Sequence, residues 1–142
     1  MVTAFNLMGQ TQSDTASFIL ASVPSAPLNG PTMVSQSGSI ISITYNALTT
    51  VAETGGSVVL GYNLQMDDGL GGSFIDLYGS DLDPMTANTM VLSYTATNLV
   101  RGRLYGFRYR ARNVYGYSTT FSPTTYIKAI EAPQQPPGAP VL

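Results

Sequence analysis

Histidine and cysteine are absent from this sequence. Without them neither a Ser-His-Asp triad nor a Cys-His pair can be assembled, and the side chains that most often hold zinc are missing. Disulfide bonds are excluded as well. Lys128 is the only lysine, and its position in a predicted strand favours a solvent-facing residue over a Schiff-base lysine. The sequence therefore predicts a protein that is not an enzyme and that binds no cofactor.

Charge is also scarce, since only 10% of the residues are charged and the net charge is −2. This composition gives no electrostatic basis for binding nucleic acid or acidic membranes. No apolar run approaches the roughly 18 residues that a membrane helix needs, so we expect no membrane insertion. Met1 is not followed by a signal peptide, and we expect any targeting signal to lie outside this stretch.

Hydroxyl and amide groups take the place of charge, and the chain has nine tyrosines. A surface of this kind is solvated by hydrogen bonding more than by ions. We interpret it as typical of an extracellular or cell-surface protein, or of a protein that packs tightly in an assembly.

The two ends of the chain resemble each other. Residues 2–9 align with residues 109–116, and residues 18–21 align with 126–129. The identical pairs at the start of the alignment are Ala4 and Ala111, Asn6 and Asn113, and Gly9 and Gly116. The prolines at 24, 27 and 31 then match those at 133, 136 and 140. Three matching blocks in the same order indicate a tandem repeat with a period of 107 to 109 residues.

This repeat divides the chain into three segments. Residues 1–22 are predicted to be the C-terminal strands of a preceding copy, residues 23–133 a complete domain, and residues 134–142 a Pro-rich linker to a following copy. Prolines cluster at both ends of the complete domain. Because proline at this density favours extended, stiff chain, we expect neighbouring copies to be spaced rather than loosely tethered.

The local pattern is that of strands and turns throughout. Short runs rich in Val, Ile, Thr, Tyr and Phe alternate with clusters of Gly, Pro, Asn, Asp and Ser, which is typical of a β-sandwich or barrel. No stretch combines a helical period with capping residues. We predict strands at residues 30–35, 38–46, 58–67, 72–78, 90–98, 104–113 and 122–130.

The sequence resembles a fibronectin type III domain over residues 24–133. The pieces that carry this resemblance are Ile41–Tyr45 (the family's second strand), Gly55–Tyr62 (the entry to strand C), Ser93–Leu99 (strand E), Tyr105–Gly116 (strand F), and Ser122 with Pro123 (the turn into strand G). No piece is specific alone, but they occur in the family's order. The resemblance implies an all-β, immunoglobulin-like sandwich of seven antiparallel strands.

The resemblance also implies structural roles for buried residues. Leu99 and Tyr105 have the spacing of the tyrosine corner, in which the tyrosine hydroxyl bonds to upstream backbone. Tyr45 stands where the family usually has tryptophan, so its hydroxyl needs a partner. The other core positions are Tyr62, Phe107 and Tyr109. The loops at 47–56 and 79–89 are long for the family, and their role stays open.

Arginines line one face of the strand at 104–113. Arg108, Arg110 and Arg112 alternate with apolar residues, so all three side chains lie on the outer face. One interpretation is a docking stripe for an acidic partner or polyanion. The favoured one is pairing with acidic and amide groups on the neighbouring strand C, where an exposed pair contributes about 0–1 kcal/mol.

Acidic residues suggest two further sites, neither of which is favoured. Asp76, Asp81 and Asp83 lie in or near one loop and could offer oxygen ligands to Ca²⁺, but their spacing matches no EF-hand and also suits a solvated turn. Asp67 and Asp68 are adjacent, so on a strand they would face opposite ways, which argues against an acid-base pair.

We therefore expect a non-catalytic structural or adhesive module of a tandem array, in an extracellular or cell-surface fibrous assembly such as a filament. Its partners would be neighbouring repeats and homotypic or other protein contacts. Alternatives are recognition of a protein or glycan through loops, with Tyr115 and Tyr117 as contacts, an accessory domain of a surface enzyme, and a self-assembling subunit that donates residues 2–21 as a strand.

Overall fold

The computed structural model describes residues 3–6, 9–12, 20–83, 85–131 and residue 138 of the 142-residue chain. Its elements are β1 (Thr3–Asn6), β2 (Gly9–Gln12), β3 (Thr32–Ser37), β4 (Ile40–Thr44), α1 (Val51–Thr54), β5 (Gly61–Met66), β6 (Ile75–Tyr78), β7 (Ser93–Ala96), β8 (Leu104–Asn113), β9 (Gly116–Tyr117) and β10 (Thr125–Lys128). Within these ranges no helix has the length and apolar character needed to cross a membrane.

Two antiparallel sheets pack face to face. The first has the order β3-β4-β7, and the second has the order β10-β8-β5-β6, with β9 also pairing with β8. All seven strand regions predicted from the sequence contain a strand, although most are shorter than predicted. The all-β, immunoglobulin-like sandwich is thus confirmed.

The core lies between the sheets because apolar residues alternate along the strands. Ile41 and Ile43 of β4 face Leu64 of β5 and Phe107 of β8, and these side chains are almost completely buried. Burying each of them contributes about 1.5–3 kcal/mol. The inward face of β8 is buried continuously from Tyr105 to Ala111, and β8 is one of the two inner strands of the second sheet, next to β5.

Three tyrosines fill the upper core, at the end of the sandwich where residues 45–48 lie. The ring centroid of Tyr45 is 4.4 Å from that of Tyr109 and 5.9 Å from that of Tyr62. The Tyr45 hydroxyl donates to the Val91 carbonyl at 2.8 Å, which satisfies the polar group at this core position. Burial raises the pKa of Tyr109 to about 12, and its hydroxyl donates to the Asn46 carbonyl at 3.1 Å.

Tyr105 occupies the opposite end of the core. Its hydroxyl accepts a hydrogen bond from the Val100 backbone N–H at 2.8 Å, and Leu99 beside it is buried. This is the contact to upstream backbone that the tyrosine-corner spacing implies.

A single helical turn, α1, was not predicted from the sequence. Thr50 and Glu53 form a capping box around it, and Gly55 ends it with a positive φ of 68°. Hydrogen bonds from the backbone of Thr50 and then Thr49 lower the pKa of Glu53. The Thr-x-x-Glu pattern followed by Gly was a readable signal, but one turn is too short to show a helical period.

Pro24, Pro27 and Pro31 are buried against the module, inside the segment 23–133 that was assigned to the complete domain. The chain around them is held by backbone hydrogen bonds from Ser22 to Gly55 and from Ser25 to Glu53, at 2.8 and 2.9 Å. Proline has no N–H to satisfy, so its ring can be buried along such an edge without losing a donor. The matching prolines at 133, 136 and 140 lie outside the described residues.

β1 and β2 form a separate two-stranded sheet at the start of the chain. In this hairpin Asn6 pairs with Gly9 and Phe5 with Gln10. In the later hairpin Asn113 pairs with Gly116 and Arg112 with Tyr117, which are the aligned positions of the repeat. The two stretches therefore share a backbone register as well as a sequence pattern.

Candidate functional site on the outer face of the second sheet

Two of the three arginines of β8 face amide side chains of β5 across the sheet, and the third, Arg112, lies opposite Gly61. The strand register places Arg108 opposite Gln65 and Arg110 opposite Asn63. The Nε of Arg108 donates to Gln65 Oε1 at 2.9 Å, and the Nε of Arg110 donates to Asn63 Oδ1 at 3.1 Å. These are amide contacts of the kind expected from the sequence.

Aromatic rings cover the flat faces of the same guanidinium groups. The central carbon of Arg108 lies 3.8 Å from the centre of the Phe74 ring and 4.2 Å from that of Phe121. Arg110 lies 4.5 Å from Phe121 and 4.4 Å from Tyr117. Each exposed contact of this type contributes about 0.5–1 kcal/mol. We call the column of Phe74, Arg108, Phe121, Arg110, Tyr117 and Arg112 the arginine ladder.

Asp76 orients the amides that support the ladder. Its Oδ1 accepts from the Nδ2 of Asn63 at 2.8 Å and from the Nε2 of Gln65 at 2.9 Å. With their nitrogens held by the carboxylate, both amides turn their oxygens toward the arginines. Asn63 is completely buried, and its Nδ2 also donates to the Tyr78 carbonyl.

The upper end of the ladder holds the loop at 79–89. Arg112 forms an ion pair with Asp81 at 3.2 Å, and the Tyr117 hydroxyl donates to the Gly79 carbonyl. Asp83 stabilises the loop from inside by accepting hydrogen bonds from Met85 N–H and the Thr86 hydroxyl. This long loop is therefore tied to the second sheet.

The three aspartates suggested as calcium ligands do not form a cluster. Asp76 binds amides, Asp81 pairs with Arg112, and Asp83 accepts bonds from its own loop. Among the described residues no three acidic, histidine or cysteine side chains come close enough to hold a metal ion.

The two tyrosines at the β8–β9 turn have different environments. Tyr117 is half-buried under Arg110 and Arg112, and burial raises the pKa of its hydroxyl. Tyr115 is 59% exposed, and its backbone N–H donates to Asn113 Oδ1 at 2.9 Å. Within the part of the chain that the structure describes, the ring of Tyr115 is the more accessible of the two to a partner.

Sequence reasoning missed the aromatic half of the ladder. The alternation of β8 and β5 contained enough information to place the arginines beside the amides. Phe74 and Phe121, however, lie outside the strands, one before β6 and the other after β9. No spacing rule connects them with the arginines.

Removing the Asp76 carboxylate should loosen the ladder and should remove part of the pH dependence of the free energy of unfolding. We expect Asp76→Ala to cost about 1 kcal/mol, because the amide of the buried Asn63 loses one acceptor. Burial alone would raise the pKa of Asp76, but hydrogen bonds from Asn63, Gln65 and Ser80 and the charge of Arg110 outweigh it, so the pKa is lowered.

A lowered pKa means that the unfolded chain takes up the proton first as the pH falls. The contribution of Asp76 is therefore complete above its ordinary pKa of about 4 and is lost as the pH falls through the lowered value. Urea unfolding at pH 7 and pH 3 measures this. Asp76→Asn, which keeps an acceptor oxygen, should retain more stability at pH 7 than Asp76→Ala. An Asp76→Ala variant with the pH dependence of the natural protein would contradict the assignment.

Solved structures of other proteins have the same fold as this chain. No model of a known protein family matches the sequence. Among solved structures, a crystal structure of titin domains is similar with a TM-score of 0.61 and 23% identity, covering 78% of this chain and 34% of that one. The sixth fibronectin type III domain of human fibronectin type III domain containing protein 3 is similar with a TM-score of 0.60 and 21% identity, over 83% of this chain and 96% of that one.

The kinase region of twitchin from C. elegans is similar with a TM-score of 0.61 and 21% identity, over 80% of this chain. This chain spans 34% of the titin fragment and 18% of the twitchin region, so the likeness is to a single domain of each. At these identities the comparisons establish the fold, which recurs as one domain among several in larger proteins.

Proposed function

Starting from the fibronectin type III fold, we propose that the chain is a non-catalytic module of a tandem array. In this arrangement residues 1–22 end one copy, residues 23–133 form the next, and residues 134–142 lead to a third. The observation that supports it is the hairpin register. β1 and β2 pair as β8 and β9 do at every aligned position that both hairpins share.

A fixed entry point to the module adds support. The side chain of Asn113 donates to the Ser22 carbonyl at 2.6 Å and to the Thr54 carbonyl at 3.0 Å. It thus joins the incoming chain, α1 and the end of β8 at one point. An incoming copy would be attached to a clamped segment, which would limit its tilt relative to this module.

We place the array in an extracellular or cell-surface fibrous assembly with a structural or adhesive role. The low charge and the many hydroxyl groups support close packing, because uncharged faces meet without the cost of removing water from ions. The absence of cysteine suits a module whose stability comes from its core and not from disulfides.

Deleting residues 1–19 tests the assignment of the first segment. This deletion leaves Ser22 and its hydrogen bonds in place. If the segment belongs to a preceding copy, both the full chain and the shorter one should be monomers at micromolar concentration, with melting temperatures within a few degrees of each other. Size exclusion with light scattering and thermal unfolding measure both properties. If the full chain forms polymers and the deletion abolishes them, the segment is instead a donated strand.

Recognition through the loops is the second candidate, and the exposed ring of Tyr115 favours it. Tyrosine is a frequent anchor at protein interfaces. The neighbouring Val114 is also exposed, so the turn between β8 and β9 presents an apolar tip. The aligned positions before Gly9 in the other copy are Leu7 and Met8, which keep apolar character but not the tyrosine.

A further inference from the structure

The strands of the first sheet carry no charged residue, and the guanidinium of Arg101 lies beside the turn between β3 and β4 at Gly38. The sequence has no Asp, Glu, Lys or Arg between residues 20 and 52, and none between residues 84 and 100. These two stretches contain the whole of β3, β4 and β7. The first sheet is therefore uncharged, whereas the second carries the arginine ladder, Asp76 and Lys128.

The outer face of the first sheet consists of hydroxyl groups in rows. One row runs across the three strands through Thr32, Thr44 and Ser93. The next row holds Ser35, Ser42 and Thr95. Every outward position in these two complete rows is Ser or Thr, and we call this surface the hydroxyl face.

These hydroxyls are partly satisfied within the sheet. The Oγ of Ser42 and the Oγ1 of Thr95 are 3.0 Å apart, and Thr44 donates to the Leu92 carbonyl at 2.9 Å. A hydroxyl has one hydrogen to donate and two lone pairs that accept, so each of these groups can still bond outward. Thr32, Ser35 and Ser93 are exposed. The face is thus preordered and retains free hydrogen-bonding capacity.

A face of this chemistry is complementary to itself. Hydroxyls can act as donors to one another and as acceptors at the same time, whereas the arginine face of one copy would repel that of another. No ion has to lose its water in the contact. An acidic or basic partner would gain no electrostatic attraction from it. We propose that the hydroxyl face is a lateral contact surface whose occupant is the same face of a second copy, in a two-fold arrangement.

Exposed apolar residues border this face. Val34, at the irregularity in β3, is 64% exposed, and Ile40 at the start of β4 is 40% exposed. Their burial would add a hydrophobic contribution at the margin of a contact made mainly of hydroxyls. β3 is also an edge strand without a charged residue to discourage association.

The size of the face limits the strength of one contact. Three strands about 4.8 Å apart, with four to six residues each and a rise of about 3.4 Å per residue, cover roughly 240 Å². A stable interface buries about 800 Å² on each partner. A single pair of modules therefore associates weakly, and firm lateral packing needs several modules side by side. The inference rests on the proposed array only for this firm packing, and the contact between two single modules does not depend on it.

The absence of cysteine makes a direct test possible, because an introduced thiol is the only one in the chain. Ser35→Cys, Ser42→Cys and Thr95→Cys each place a thiol in the middle row of the hydroxyl face. Lys128→Cys is the matched control, exposed and on a strand of the other sheet. The full chain carrying each substitution is mildly oxidised at high concentration, and the rate of disulfide-linked dimer formation is measured after thermal unfolding has verified the fold.

At least one middle-row variant should form dimers about tenfold faster than Lys128→Cys, because the contact raises the effective thiol concentration. Adding Thr44→Glu to the fastest variant should reduce its rate to that of the control, since like charges would meet across the two-fold. Equal rates for all four single variants would overturn the proposal. Repeating the measurement in the chain that lacks residues 1–19 separates it from the array, because lateral dimers should persist there whatever the first segment does.

Discussion

Replacing Gly79 with alanine is expected to cost about 3–5 kcal/mol of folding free energy, the largest effect of any substitution considered for this module. Gly79 has a φ of +76°, a conformation that strains any residue with a side chain. An added Cβ would also overlap the carbonyl oxygen of Tyr62, which belongs to the inner strand β5. Backbone in a strand can move little, so β5 would have to shift as a unit.

Gly71→Ala is the control that separates the two causes. Gly71 has a nearly identical φ of +78°, but nothing lies within 4 Å of the position that its Cβ would take. Strain alone should cost about 1 kcal/mol there. The chain has no tryptophan, so guanidinium unfolding is best followed by circular dichroism or tyrosine fluorescence. Equal losses for the two variants would show that backbone strain, and not the close approach to Tyr62, sets the cost at Gly79.

Replacing Asp67 with alanine should cost about 3 kcal/mol, the second largest effect, because two buried donors lose their acceptor. Asp67 follows β5 and is only 2% exposed. Its Oδ1 accepts from the Gly69 backbone N–H at 2.9 Å and from the Gly106 backbone N–H at 2.8 Å. It thus joins the turn after β5 to the beginning of β8, at the end of the sandwich opposite Gly79.

The adjacent Asp68 offers a closely matched control. Its carboxylate also accepts two backbone N–H groups, from Leu70 at 2.9 Å and Gly72 at 3.0 Å, but it is exposed. Water can replace the carboxylate there, so Asp68→Ala should cost about 1 kcal/mol or less. Asp67→Asn keeps an acceptor oxygen and should fall between the two alanine variants. A loss for Asp68→Ala as large as that for Asp67→Ala would contradict the role given to burial.

Neither Gly79 nor Asp67 lies on the hydroxyl face. Their variants lower stability without adding charge or bulk to β3, β4 or β7, so they provide a reference for the cross-linking experiment. A cysteine variant that loses as much stability as these two is left out of the comparison with Lys128→Cys, because its rate would reflect unfolding. If a variant keeps the natural stability and forms dimers quickly, its behaviour reflects contact.

Much of the fold was predictable because its signals are local. The alternation of Tyr105, Phe107 and Tyr109 with arginines identifies a strand with one buried face, and that pattern needs no knowledge of other elements. The spacing between Leu99 and Tyr105 is also a local signal, because both residues lie in or next to the single connection from β7 to β8. The clusters of proline were also readable, but composition describes their stiffness and not the surface against which Pro24 is buried.

The sequence by itself determined which residues share a face of each strand, since side chains alternate with a period of two along any extended chain. It thereby determined the buried core, the row of arginines and the absence of charge from three strands. Only the tertiary structure decided which rows meet. Phe74 and Phe121 reach the arginines, and Thr95 reaches Ser42, because sheet pairing joins segments far apart in the chain. Register and packing determine those contacts, and no local pattern in the sequence carries that information.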